Sequence, residues 1–123
     1  LERFVGKKMI GLYGAFDRDM ALTAGDIGPD AVFFGPLGGD IKPEPHKKNM
    51  KIAEWWAEMV EIPCIVPAGS ATESVVEASQ TRADIVALSR AVFQADDPAS
   101  AVTKAAQMLQ EHGAALPYEA SNA

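Results

Sequence analysis

The amino-acid sequence predicts an α/β fold built on a four-stranded parallel sheet, and three observations carry the prediction. Short apolar runs alternate with longer stretches whose apolar residues recur at helical spacing. The runs are apolar throughout rather than at every second residue, as in strands covered on both faces. The helical stretches carry start and stop residues that separate them from the runs. The resulting order, βαβαβαβα, implies a parallel sheet with right-handed crossovers and helices packed outside it.

Met9-Ile10-Gly11-Leu12-Tyr13 reads as the first strand. Asp17 is placed to cap a helix with Met20, Ala21 and Ala24 on one face, closed by Gly25, Gly28 and Pro29. Ala31-Val32-Phe33-Phe34 is the second strand. From Gly35 to His46 glycine and proline are too dense for regular structure, so a long loop follows it. A helix begins near Asn49, and its Ile52, Trp55, Trp56, Met59 and Val60 fall on one apolar stripe. The tryptophans on that stripe are read as packing residues. Ile62-Pro63-Cys64-Ile65-Val66 is the third strand. Ser70 and Glu73 have capping-box spacing, which predicts a helix start at Ser70 running on through Val75, Val76, Ala78 and Ser79. Ile85-Val86-Ala87-Leu88 is the fourth strand. Asp97 and Pro98 start the last helix, Gly113 stops it, and Ala101, Val102, Ala105, Met108 and Leu109 form its inner face. Residues 1–113 thus form the folded unit and 114–123 a flexible tail.

With 123 residues, 48% of them apolar and 23% charged, the chain is one globular domain. Seventeen acidic against eleven basic residues give a net charge of -6, which argues against nucleic acid as a partner. No run approaches the roughly 18–20 apolar residues of a membrane helix, so no membrane is expected. Cys64 is the single cysteine and lies in an apolar run, as a small core residue of a cytoplasmic protein does. His46, His112 and Cys64 lack metal-ligand spacing, so no metal site is expected within the chain.

Two architectures accommodate four βα units: a small open doubly wound sheet and half of an eight-stranded barrel. Both put the working loops at the carboxyl ends of the strands. Small residues gather at those ends, at Gly11 to Gly14, Gly35 to Gly39, Pro67-Ala68-Gly69-Ser70 and Ser89-Arg90. Small residues let backbone N–H groups approach an anion, and Gly69 precedes the expected helix start, where unpaired amides favour a phosphate. The Ser89 and Arg90 amides would complete an anion cup, with a charge-assisted contact from the Arg90 side chain. The same residues also read as an ordinary capped turn, with Arg90 paired to a helix carboxylate such as Asp96 or Asp97.

Three stretches carry a family likeness: Asp30 to Pro36, Ile62 to Gly69 and Ala83 to Pro98. In this order and spacing they resemble the thiamine phosphate synthase family, whose fold is a (βα)8 TIM barrel. The resemblance runs over roughly residues 5 to 112 and covers strands five to eight of that barrel. It implies a (βα)4 unit forming the C-terminal half. It also implies thiamine biosynthesis, by joining a pyrimidine pyrophosphate to a thiazole phosphate with magnesium. By this resemblance the thiazole phosphate would be held at Ala68, Gly69, Ser89 and Arg90, to which the expected helix start adds Ser70, and Lys42 matches a lysine that grips pyrophosphate. The magnesium ligands of the family lie in the other half of the barrel, not in this chain.

The chain departs from the family pattern in several places. Ala68-Gly69 stands where the family has two glycines, and Asp40 falls where it has threonines, so that a carboxylate would repel pyrophosphate. Tyr13 and Ala15 replace the serine and the nearby histidine that related thiazole tautomerases use. The departures leave an alternative: a degenerate, non-catalytic member that binds a phosphorylated ligand. Four units alone also leave two open sheet edges and one apolar face. Val32, Phe34, Ile65, Val86 and Leu88 are candidates for that face or for the helix-facing one. Such a surface invites association, so the expected partner is a missing N-terminal half or a second copy of the chain.

Overall fold

The computed structural model describes residues 9–12, 18–36 and 38–113. The strands are β1 (Met9–Leu12), β2 (Ala31–Phe34), β3 (Cys64–Pro67) and β4 (Ile85–Ala87). The helices are α1 (Arg18–Asp26), α2 (Lys47–Met59), α3 (Ser74–Ser79), α4 (Arg90–Phe93) and α5 (Pro98–His112). Every strand pair is parallel and the spatial order is β1-β2-β3-β4. Among the described strands the order nowhere reverses, as it would at the switch point of a doubly wound sheet. Right-handed crossovers in this order set the connecting helices on one face.

The register decides which side chains meet those helices. Val32, Phe34, Cys64 and Val66 are buried in one cluster with Ala21, Ile52, Ala53, Trp56, Val75 and Ala105, and Val86 packs against it. Phe33 pairs with Ile65 and Ile65 with Ile85, so these three alternate onto the opposite face. Ile85 is 51% exposed there. Of the five candidates for the two faces, Val32, Phe34 and Val86 therefore turn to the helices and Ile65 turns away; Leu88 lies beyond β4.

Trp56 centres the helix side. It is fully buried, meets Phe34 edge-on at 5.6 Å, and donates its indole N–H to the Ile62 carbonyl at 2.7 Å. A fully buried side chain of this kind contributes roughly 1.5–3 kcal/mol or more through area alone. Gly25 of α1 lies against the same ring, where a Cβ would come within 3.1 Å of it. The apolar stripe expected on α2 is narrower than its spacing suggests: Ile52, Ala53 and Trp56 are buried, whereas Met59 is exposed. Met20 and Val102, expected on inner faces, are also exposed.

Most element ends shift by one or two residues, so that β3 starts at Cys64 and not Ile62 and α2 at Lys47 and not Asn49, and two departures are larger. Ser70 does not cap α3, which starts at Ser74 after a turn, because the chain at 70–71 is bonded instead to the loop before α2. The fourth strand is followed by two helices rather than one, a four-residue α4 and then α5. The start and stop of α5 fall as predicted, with Asp97 accepting the Ser100 N–H, Pro98 in the first turn and Gly113 at the C-cap. The cap expected at Asp17 and the tail expected over 114–123 lie outside the described residues.

Candidate functional site

The carboxyl ends of β2, β3 and β4 open on the same side. Between them lies a cavity of about 240 Å³ lined by Phe33, Pro36, Gly38, Gly39, Asp40, Pro67, Ala68, Ala87, Leu88 and Ser89. A second cavity of about 560 Å³ reaches from Asp40 past Lys42, Glu44 and His46 to Asn49 at the start of α2. Asp40 lines both, with Pro36, Gly39, Pro67 and Ala68. Gly35 turns the chain out of β2 with φ of 121°, a conformation that favours glycine, and the Asn49 side chain lies where a Cβ would be.

The loop after Gly35 then runs across the mouth rather than away from it. The Lys42 carbonyl accepts the Ser70 N–H at 2.8 Å and the Pro43 carbonyl accepts the Ala71 N–H at 3.3 Å. Pro43 and Glu44 lie so close to Gly69 that any side chain there would run into their backbone. Gly69 is thus a glycine because two backbones touch at that position. On the other side of the mouth, Asp40 accepts the Arg90 N–H on Oδ2 at 2.7 Å, and its Oδ1 lies 3.4 Å from Arg90 Nε. The Arg90 guanidinium also reaches the Gly38 carbonyl at 3.5 Å.

The expected phosphate residues are therefore brought together, but their amides are turned to internal partners. Ala68 donates its N–H to the Ala87 carbonyl at 2.9 Å, and Gly69 donates to Ser74 Oγ at 2.8 Å. Ser70 is committed to Lys42 and Arg90 to Asp40. Ser89 lines the smaller cavity, and its side chain makes no cap bond to α4. Lys42 is exposed on the rim of the larger cavity. Arg90 pairs with Asp40 across fifty positions of sequence, not with Asp96 or Asp97. Sequence spacing carried no signal for that pair. Nor did it mark Ser74, whose hydroxyl donates to the Ala71 carbonyl at 2.6 Å while accepting from Gly69.

Among the described residues no group of three or more His, Cys, Asp or Glu side chains is placed to hold a metal ion. No helix among the described residues is long and apolar enough to cross a membrane.

A parallel sheet with helices packed against it, and with cavities at the carboxyl ends of its strands, defines an α/β protein whose working loops follow the strands. The comparisons narrow it further. The family model described as thiamine monophosphate synthase matches residues 1–92, and the chain belongs to that family. A thiamine-phosphate synthase of Rhodospirillum centenum is 33% identical over 103 residues, which are 81% of this chain and 50% of that protein. One from Erythrobacter litoralis is 28% identical over 110 residues, 87% of this chain and 52% of that protein. The chain thus spans about half the length of the curated relatives it matches. Among solved structures, the (S)-3-O-geranylgeranylglyceryl phosphate synthase of Thermoplasma acidophilum, in complex with sn-glycerol-1-phosphate, superposes with a TM-score of 0.63 at 19% identity. That superposition covers 85% of this chain and 49% of the other. The wild-type GGGPS of Thermoplasma volcanium gives 0.55 at 17% identity, over 76% and 35%.

Proposed function

We propose that this chain supplies strands five to eight of a (βα)8 barrel of the thiamine phosphate synthase type. In this reading it holds a phosphorylated thiazole, or a related small phosphate, at the mouth of β2, β3 and β4. One observation carries the reading: the turns after β2, β3 and β4 line one cavity through Gly38, Gly39, Asp40, Pro67, Ala68 and Ser89, and its Asp40 pairs with Arg90. The family supports the substrate class, and the Thermoplasma acidophilum structure supports a small phosphate ligand on this fold. The half barrel is supported by the strand order and by the apolar face of Phe33, Ile65 and Ile85, which a second set of four strands would cover. Those strands come from the rest of a longer chain or from a second copy. The proposed phosphate contacts are Ala68, Gly69, Ser70, Ser89 and Arg90, with Lys42 toward a leaving pyrophosphate. Any magnesium takes its ligands from outside the described residues, and the reaction belongs to the cytoplasm.

The test is a calorimetric titration with thiazole phosphate and with the corresponding thiazole alcohol. The phosphate form is expected to bind at least about tenfold more tightly, a difference of about 1.4 kcal/mol. Equal affinity for the two would remove phosphate recognition from the site.

A second reading, a non-catalytic ligand-holding member, is favoured by the Asp40 carboxylate in the mouth. It is separated from the first by incubating the whole protein with a pyrimidine pyrophosphate, thiazole phosphate and magnesium. Retained thiazole phosphate binding without thiamine phosphate formation supports the second reading, and turnover excludes it.

A further inference from the structure

We infer that Asp40 is a built-in anion that straps residues 38–46 over the phosphate seat, and that a phosphorylated ligand binds by displacing this carboxylate from Arg90. The inference rests on the phosphate-binding reading above and adds how access to that seat is controlled.

The Asp40 side chain is 5% exposed, and its carboxylate takes the two groups of Arg90 that an incoming phosphate would use, the main-chain N–H and the guanidinium. Its occupation of them is incomplete. Among the described residues, Oδ1 of Asp40 and Nε of Arg90 face each other at 3.4 Å, both shut off from solvent and both without a hydrogen-bond partner. The Arg90 side chain is 37% exposed, so the shortfall falls on the buried Asp40 carboxylate, whose Oδ1 has lost water without gaining a hydrogen bond. A phosphate monoester presents three terminal oxygens where Asp40 presents one accepted bond, so exchange would relieve the deficit.

The strap is built to lift. Gly38 has φ of 80° with open space where a Cβ would lie, so the strap can pivot there. Beyond Asp40 it is held by the Ser70 and Ala71 amides on the Lys42 and Pro43 carbonyls. Lifting it frees the Ser70 and Arg90 amides together. The same motion opens both cavities, since Asp40 lines each of them.

The test compares the whole chain with its Asp40→Asn variant, titrated with inorganic phosphate and with thiazole phosphate. Hydrogen exchange at the Ser70 and Arg90 amides is followed in both. Asp40→Asn is expected to bind both probes about tenfold more tightly. Phosphate should speed exchange at Ser70 in the unaltered protein, because that amide loses its Lys42 carbonyl. In an Arg90→Gln background the gain from Asp40→Asn should vanish. Equal affinity of the two proteins for both probes, with Ser70 exchange unmoved, overturns the strap and leaves phosphate binding standing. Binding of neither probe by either protein overturns both. If Asp40→Asn does not fold, Ser70 exchange in the unaltered protein decides alone: faster with phosphate supports displacement, unchanged exchange rejects it.

Discussion

Cys64 and Trp56 show how single side chains register the fold. The Cys64 thiol is fully buried with its sulfur toward the Ala53 carbonyl, and the Asp84 carboxylate accepts the Cys64 backbone N–H at 3.0 Å. Burial, and after it the negative charge of Asp84, push the thiol from an ordinary 9.0 up to about 12. A raised acid pKa means the folded state keeps its proton after the unfolded state has lost it. The contribution to stability is whole below about 9 and is lost as pH rises toward about 12. At pH 8 the folded protein therefore holds about a hundredfold to a thousandfold less thiolate than the unfolded chain. Alkylation should stall in buffer and proceed in urea; equal rates in the two would show that Cys64 is accessible. For Trp56, replacement by Phe removes the N–H that satisfies the Ile62 carbonyl and leaves a void beside Phe34. Trp56→Phe should cost about 2–3 kcal/mol in urea unfolding. The stripe of α2 marked Trp56 as a core residue from sequence, but the carbonyl it serves lies in the turn after the helix and was not legible.

At the scale of elements, α5 and α3 make a useful contrast. The α5 start is local chemistry: Asp97 accepts the Ser100 N–H and hydroxyl, and the hydroxyl bond first, then the N–H, hold its carboxyl below the ordinary 3.8. A lowered acid pKa gives stability that is present above that ordinary value and is lost as pH falls below it through the folded-state pKa. Asp97→Ala should lower the thermal midpoint at pH 7, and by less as pH is taken further below 3.8, while Asp97→Asn retains most of the cap. A midpoint loss that stays the same however far the pH is lowered would rule out the charge-assisted cap. The α3 start carries an equally good local signal at Ser70 and Glu73, yet it fails. The Ser70 amide is taken by Lys42, twenty-eight positions earlier, and Glu73 pairs with Lys104 of α5. Local patterns predict an element boundary when its partners are local. The short α4 escaped because four residues do not complete a hydrophobic period.

For the whole molecule, the consequential feature is the face away from the helices. Phe33, Ile65 and Ile85 form an apolar row across three strands, and β4 is an unpaired edge among the described strands. Sedimentation of the 123-residue chain is therefore expected to show species heavier than one copy. Ile85→Lys, at a position half-exposed in the single chain, should shift the distribution toward the monomer. A cooperatively folded monomer in the unaltered chain would argue that the face needs no cover.

Apart from the short α4, the sequence by itself determined the succession of strands and helices, the parallel sheet and the family, because these rest on short-range periodicity and on runs of residues quoted in order. It also located the turns at 35–42, 67–70 and 88–90 that meet at the mouth. Only the tertiary structure decided which side of each strand faces the helices, since runs that are apolar on both faces do not distinguish them. It likewise decided that Asp40 answers Arg90 and that the Ser70 amide belongs to Lys42. Those partners lie far apart in the chain, and electrostatic pairing depends on separation in space, which no spacing in the sequence encodes.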